Sequence, residues 1–160
     1  MVREGERPAD RTFGSVAEVL AFAIEQEEKA ELFYRRFAET ASEPGLRRLC
    51  LEMAEEEQRH AENLRRLRDG KPTGIATERV RDLKISDYLR EMEIRSDMTH
   101  QDLLIAAMQS EKKAELLYRA LADASTDPEV RALFTRLADE EGSHKDDIEK
   151  KYDDRILRDN

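Results

Sequence analysis

Apolar residues recur along this chain at intervals of three and four, in four long segments separated by polar breaks. This spacing predicts helices that each bury one face. The predicted helices span about residues 15–42, 44–69, 99–125 and 128–153. The first two are separated by a very short break, and so are the last two. Each pair should therefore fold as an antiparallel hairpin.

A long connection, residues 70–98, joins the two predicted hairpins. Loops of that length rarely lack structure in a compact domain, so we expect a short helix within it, near Ser86 to Glu93. Residues 1–14 are polar and predict a mobile tail. The whole chain, 1–160, fits a single domain. These elements predict an all-α fold, a four-helix bundle with one long crossover connection that contains a short helix.

Acidic side chains interrupt each of the four apolar stripes. In two of the helices, a histidine follows the glutamate three residues later, on the same face. The six residues form two sets that are 84 positions apart: Glu27 with Glu57 and His60, and Glu111 with Glu141 and His144. Aligned without a gap, residues 25–68 and 109–152 are identical at 15 of 44 positions. The sequence therefore describes one helical hairpin used twice.

Four glutamates on buried stripes would be unstable without partners, because a buried carboxylate must be paired or take up a proton. The stripes carry no Lys or Arg at that level. Divalent cations are the simplest partners, since four carboxylates balance two of them in charge. We expect Glu57 and Glu141 to bridge two ions, with Glu27 and Glu111 as terminal ligands and one histidine on each ion. Oxygen and nitrogen donors suit iron or manganese, and zinc remains an alternative.

Composition narrows the class of protein. Charged residues make up 41% of the chain and aromatic residues 6%, as in long amphipathic helices. The net charge of −9 argues against nucleic-acid binding. No apolar run approaches the roughly 18 residues of a membrane span. The N-terminal segment has no apolar stretch typical of a secretory signal, so we expect a cytoplasmic location.

Two tyrosines and one cysteine have less specific patterns. Tyr34 and Tyr118 lie on the glutamate stripes, two turns beyond Glu27 and Glu111. Their hydroxyls could form a hydrogen bond with a ligand carboxylate or supply an electron in catalysis. Alternatively, the two side chains could serve only as packed core residues. Cys50, the single cysteine, cannot form an internal disulfide and fits a core position.

The sequence resembles the rubrerythrin branch of the ferritin-like superfamily over about residues 15–155. The resemblance lies in the segments Glu27-x-x-Ala30-x-x-x-Tyr34 and Glu57-x-x-His60-Ala61, together with their second copies, Glu111-x-x-Ala114-x-x-x-Tyr118 and Glu141-x-x-His144. It implies a ferritin-like bundle with two iron ions that react with hydrogen peroxide or dioxygen. Members of this family act as peroxidases or ferroxidases and are often dimers, so a homodimer is expected.

The chain departs from typical rubrerythrins in two features. The paired cysteines of a rubredoxin-like part are missing, so electrons should come from an external electron-donor protein or a small reductant. Ala114 stands where rubrerythrins carry an additional glutamate.

From the resemblance we expect a di-iron oxidoreductase that reduces peroxide or dioxygen. One alternative is a ferroxidase that oxidises ferrous ion for storage, and a second is a metal-stabilised helical interaction module without turnover.

Overall fold

The computed structural model describes residues 10–70 and 74–159, and it is helical throughout these ranges apart from turns, the crossover and two isolated bridges. The all-α class and the bundle with one crossover, both predicted from the sequence, are confirmed. The helices are α1 (Val16–Thr40), α2 (Pro44–Asp69), α3 (Thr77–Val80), α4 (His100–Ala124) and α5 (Pro128–Asp159), with a 3₁₀ turn at Ile85–Asp87 between α3 and α4.

Local sequence explains where the long helices begin. The Ser15 hydroxyl accepts a hydrogen bond from the backbone N–H of Glu18 and caps α1. Thr99 and Asp102 form a reciprocal capping box at the start of α4. Proline begins both α2 and α5, where its missing N–H costs nothing because no helical partner exists for it.

The core consists of two apolar clusters, one toward each end of the bundle. Helix α1 contributes Leu20 to the first cluster and Phe37 to the second, while α5 contributes Phe134 and then Ile148. Helices α2 and α4 meet the clusters in the reverse order. α1 and α5 therefore run in one direction and α2 and α4 in the other. Because α2 and α4 are parallel, the crossover must travel the length of the bundle between them.

The helical turns of the crossover lie earlier in the chain than the sequence predicted. The expected helix near Ser86 to Glu93 is replaced by α3, at Thr77–Val80, and by the 3₁₀ turn. Residues 89–93 are not helical. One physical reason is that the backbone N–H of Arg90 donates to the Gln26 side chain on α1, 2.8 Å away, instead of to a carbonyl of its own segment. Contacts with the bundle thus override the local preference for a helix.

The predicted mobile tail is wrong for residues 10–14, while residues 1–9 lie outside the described ranges. Phe13 is fully buried, with its ring 5.0 Å from that of Phe22. Its N–H donates to the Leu83 carbonyl at 3.3 Å, so this segment pairs with the crossover. The buried Phe13 ring and the backbone hydrogen bonds to the crossover together anchor this segment. No helix in the described ranges combines the length and hydropathy needed to cross a membrane.

Candidate metal centre

A polar layer lies between the two apolar clusters. The four stripe glutamates in it are completely buried, and the two histidines are 2% and 5% exposed. The structure brings together all six residues singled out in the sequence: Glu27 of α1, Glu57 and His60 of α2, Glu111 of α4, and Glu141 and His144 of α5.

These six residues form two overlapping groups of four. Within each group, one potential ligand atom per residue lies within 4.8 Å of the others. One group contains Glu27 and His60, and the other contains Glu111 and His144. Glu57 and Glu141 belong to both. This sharing is the geometry that two neighbouring ions with two bridging carboxylates would require.

The imidazole of His60 faces one group through its Nδ1 atom. That atom lies 2.8 Å from Glu141 Oε1, 3.7 Å from Glu27 Oε2 and 3.8 Å from Glu57 Oε1. The carboxylates thus come from three different helices. Only the tertiary fold places them around one nitrogen.

The second group repeats this arrangement around His144. Its Nδ1 atom lies 3.3 Å from Glu57 Oε1, 3.5 Å from Glu111 Oε2 and 3.8 Å from Glu141 Oε2. The two imidazole rings are nearly parallel, with centroids 5.9 Å apart. The duplication seen in the sequence therefore appears in space as two similar half-sites.

Several ligand atoms in this layer lack a hydrogen-bond partner within the described residues. They are Glu27 Oε2, Glu57 Oε1, Glu111 Oε2, Glu141 Oε2 and His144 Nδ1. Buried polar atoms are nearly always satisfied, and leaving one unsatisfied costs about 1–3 kcal/mol. Five such acceptors in one small volume fit positions for cations, so the residues present suit a metal centre.

The outer nitrogens of the two histidines meet carboxylates of the opposite hairpin. His60 Nε2–H donates to Glu140 Oε2 at 2.6 Å, and His144 Nε2–H donates to Glu56 Oε2. Both glutamates are partly exposed. A carboxylate on the outer nitrogen keeps Nε2 protonated and turns Nδ1 toward the inner glutamates, where it could bind a metal ion. Glu56 therefore supports a candidate ligand of the opposite hairpin although it does not lie on an apolar stripe.

Both tyrosines on the stripes reach across to the opposite hairpin. The Tyr34 hydroxyl donates to Glu111 Oε1 at 2.5 Å, and the Tyr118 hydroxyl donates to Glu27. Burial, and next the negative charge of Glu111 for Tyr34 and of Glu27 for Tyr118, raise the pKa of each phenol well above its usual value. The hydroxyls therefore keep their protons and hold the two terminal glutamates.

Arg90, from the crossover, enters the same layer and was missed in the sequence. It is 4% exposed, and its Nη2 donates to Glu57 Oε2 at 3.1 Å and to Glu111 Oε1 at 3.5 Å. Nη1 lies 3.7 Å from Glu27 Oε1. As the sequence indicated, the four helical stripes carry no Lys or Arg at the level of the glutamates. The inference that the glutamates lack a basic partner is wrong, because Arg90 comes from a segment without helical periodicity.

The charges in this layer divide the carboxyl groups into two kinds. Burial would raise the pKa of Glu27, but attraction by His60 and Arg90 outweighs it and lowers that pKa below its ordinary value. Burial likewise opposes ionisation of Glu111. Hydrogen bonding with Glu141 and His144, and the charge of Arg90, nevertheless lower the pKa of Glu111 to about 2.

The two shared glutamates behave in the opposite way. Burial, reinforced by repulsion from Glu111 and Glu27, raises the pKa of Glu57 to about 8. Burial and the same repulsion raise the pKa of Glu141 well above its usual range. Like charges this close cannot all ionise without a further cation. The two glutamates predicted to bridge are thus those whose ionisation depends most on a bound cation.

The remaining sequence candidates lie in apolar surroundings. Cys50 is buried in the second cluster, and burial raises its thiol pKa to about 12. Ala30 and Ala114 are buried in the second and the first cluster, respectively. A cleft of about 460 Å³ is lined by Arg90, Phe33 and Met92, and by residues 29, 32, 36, 93 and 94. It is the space beside the polar layer on the crossover side.

Together, the bundle, its crossover and the buried Glu and His residues define a ferritin-like helical protein with a candidate carboxylate and histidine metal centre. The Rubrerythrin family model matches residues 18–97 and 102–160, nearly the entire described chain. The chain belongs to the rubrerythrin family, as the sequence motifs had suggested.

Solved structures agree on the fold. A Thermotoga maritima protein described as a ferritin-like diiron-carboxylate protein is 24% identical, with a TM-score of 0.73. The match covers 89% of this chain and 96% of that one. A hypothetical protein from Pyrococcus furiosus is 26% identical, with a TM-score of 0.72, covering 87% and 89%. Among proteins with curated descriptions, none matches.

Proposed function

We propose that this protein is a di-iron oxidoreductase that reduces hydrogen peroxide, or dioxygen, with electrons from an external donor. The observation that carries the proposal is the pair of overlapping four-residue groups that share Glu57 and Glu141. Family membership and the diiron-carboxylate description of the Thermotoga maritima protein favour iron over manganese or zinc. The donor set contains no thiolate, which agrees with that choice.

In this proposal each ligand has a defined role. Glu57 and Glu141 would be shared by the two ions, and Glu27 and Glu111 would hold one ion each. His60 and His144 would bind through Nδ1, since their Nε2 atoms are engaged by Glu140 and Glu56. When bound, two ferrous ions supply one electron each, the number needed to reduce one peroxide to two water molecules with two protons.

The protein's own residues hold protons and exclude water. The Tyr34 and Tyr118 hydroxyls keep the terminal carboxylates oriented, and their raised pKa values keep both phenols protonated. The apolar clusters on either side of the layer limit solvent access, which strengthens every electrostatic interaction inside. As a second role, we propose that Tyr34 or Tyr118 supplies an electron during oxidation of the bound ions.

The proposal extends to partners and location. The electron donor is proposed to be an external redox protein or a small reductant. A homodimer is proposed from the family resemblance, and a cytoplasmic location is proposed as well.

The test is anaerobic loading of metal-stripped protein with ferrous iron, followed by separate additions of peroxide and oxygen. We expect two ions per chain, rapid oxidation by one of these oxidants, and retention of the iron. Turnover of many ferrous ions per chain would instead establish the ferroxidase alternative. Binding without oxidation by either oxidant would leave the interaction module.

A matched pair of double variants separates the site from the surrounding surface. Glu57→Gln with Glu141→Gln removes both shared carboxylates with little change in volume. Glu55→Gln with Asp139→Asn makes the same change in charge on exposed positions of the same helices. The first should abolish loading with two ions and the second should not. Equal binding by both would overturn the assigned site.

A further inference from the structure

Arg90 stands apart from the twofold pattern of the site. The ligands, the tyrosines and the outer glutamates all occur as pairs 84 residues apart. Arg90 lies in the crossover, outside both copies of the hairpin, and is the one guanidinium within the described polar layer. A residue that belongs to neither half but contacts both calls for a separate explanation.

The two hairpins hold Arg90 at equivalent positions. Gln26 accepts from the Arg90 backbone N–H at 2.8 Å, and Ser110 accepts from Arg90 Nε at 2.6 Å. Gln26 and Ser110 are both buried and each directly precedes a terminal glutamate. Gln26 thus fixes the backbone of Arg90 and Ser110 fixes its guanidinium, so the side chain cannot swing away at little cost when ions bind.

The fixed cation changes the charge of the site. In the metal-bound state all four carboxylates are ionised and carry four negative charges, which two divalent ions would neutralise. With Arg90 included, and both imidazoles neutral, the sum is three negative charges, so two divalent ions leave one positive charge. Arginine stays ionised under all ordinary conditions. Its charge therefore opposes binding of divalent ions at a distance where interactions are strong.

We propose that Arg90 is a built-in counter-cation. It keeps the four-glutamate layer folded before metal ions bind, and it weakens the binding of divalent ions, so that loading is reversible. The proposal rests on the proposed function only in taking divalent ions as the ligands of the site. Arg90 acts through the carboxylates and is therefore a positioning residue, not a catalytic one.

If Arg90 served only to hold the crossover against the bundle, a different result would be expected. Its removal would loosen the glutamates and weaken both folding and metal binding. The counter-cation role predicts opposite signs: Arg90→Gln should destabilise the metal-free protein and bind metal ions more tightly. Arg90→Lys keeps the positive charge but loses the planar guanidinium and its fixed hydrogen-bond donors. This variant should be more stable than Arg90→Gln, and its zinc affinity should remain near that of the wild type.

The first experiment measures melting temperature on metal-stripped protein and zinc affinity by competition with a coloured zinc chelator. Zinc is used because it is not oxidised. Arg90→Gln should melt about 5–10 °C lower, as expected when a buried ion pair loses one partner. It should bind zinc at least about tenfold more tightly. Arg95→Gln, an exposed arginine of the same crossover, should change neither value. Weaker zinc binding by Arg90→Gln would overturn the proposal.

A second variant covers the case in which Arg90→Gln folds poorly. Arg90→Gln combined with Glu111→Gln restores the original net charge of the layer, because the Glu111 carboxylate is ionised and accepts from Arg90 Nη2 at 3.5 Å. It should recover at least half of the lost melting temperature, while simple addition of the two losses would contradict the charge-balance role. Failure of the wild type to bind zinc would overturn the proposed function and the metal-binding half of this inference, whereas recovery in the double variant would still support the folding half.

Discussion

The Tyr34 hydroxyl on α1 donates a hydrogen bond to Glu111 on α4, 2.5 Å away, and Tyr118 on α4 donates to Glu27 on α1. Each hairpin thus holds the terminal glutamate of the other. The two halves of the site are linked through these reciprocal bonds as well as through the shared carboxylates. Removing one of these hydrogen bonds should therefore destabilise both hairpins, not only the one to which the tyrosine belongs.

Replacement of either tyrosine by phenylalanine tests this link. Tyr34→Phe and Tyr118→Phe should each lower the free energy of unfolding by about 1–2 kcal/mol, because a buried carboxylate oxygen loses its donor. Urea denaturation measures the change. Tyr152→Phe, on a partly exposed tyrosine of α5, serves as the control and should stay within about 0.5 kcal/mol of the wild type.

The same variants bear on catalysis. If the hydroxyls only orient carboxylates, single-turnover oxidation of bound iron should produce no protein radical in either the wild type or the variants. A tyrosyl radical signal in the wild type that Tyr34→Phe or Tyr118→Phe removes would show electron supply instead. Rapid-freeze paramagnetic resonance distinguishes the two roles.

Glu56 and Glu140 should matter for metal affinity although neither is a proposed ligand. Each accepts the outer N–H of a histidine from the opposite hairpin. Glu56→Gln and Glu140→Gln should weaken divalent metal binding by about 10–100-fold, the usual effect of losing such a partner. Glu55→Gln, on the exposed face of the same helix, should bind as the wild type does. Unchanged affinity in the first two variants would show that their histidines need no support.

Metal binding should also depend strongly on pH. Burial would lower the pKa of His60 and His144, but the carboxylates around them, led by Glu27 for His60 and by Glu111 for His144, raise both pKa values. The Glu57 pKa of about 8 means that this carboxyl is also largely protonated at neutral pH. A metal ion needs neutral imidazole and ionised carboxylate, so it must displace these protons.

The direction follows from those shifts. Groups with raised pKa values stay protonated over this pH range, and protons compete less well with the metal ion as pH rises. The affinity for divalent metal ions should therefore rise from pH 6 to pH 8 by at least about tenfold per pH unit, corresponding to one proton released per ion. Calorimetry in buffers with different ionisation enthalpies counts the protons. Affinity that is flat over this range would show that the site is already deprotonated.

Cys50 should be chemically silent. It is buried, and the resulting pKa of about 12 leaves almost no thiolate at neutral pH. In the folded protein it should react with a thiol reagent at least about 100-fold more slowly than in denaturant. Cys50→Ala should lower stability through lost packing and leave metal loading unchanged. Fast labelling, or a loading defect in the variant, would assign the thiol a role in the chemistry.

Sequence periodicity predicted the bundle because helical hairpins are encoded locally. Each long helix carries its own cap or N-terminal proline and its own apolar stripe, and each of these signals acts within a few residues. The stripe glutamates were recognisable for the same reason, since a charge on an apolar face is costly wherever the helix packs. The spacing of Glu57 and His60 placed both on one side of a helix without further information.

Segments without periodicity were harder to predict. Phe13 lies in a polar stretch, and its burial depends on a groove made by residues that come later in the chain. The crossover had to travel the length of the bundle, which follows from the parallel course of α2 and α4. Which of its residues would turn inward at the level of the glutamates does not follow, because an extended chain can present either face.

The amino-acid sequence by itself thus determined the helices, their duplication and the six residues that meet in the polar layer, since these depend on short-range spacing and on the cost of burying charge. The tertiary structure alone decided how the two halves contact each other. It brought Arg90 to Glu57 and Glu111, Tyr34 to Glu111, and Glu56 to His144, because these contacts join residues from 21 to 88 positions apart, and such distances are set by packing rather than by spacing along the chain.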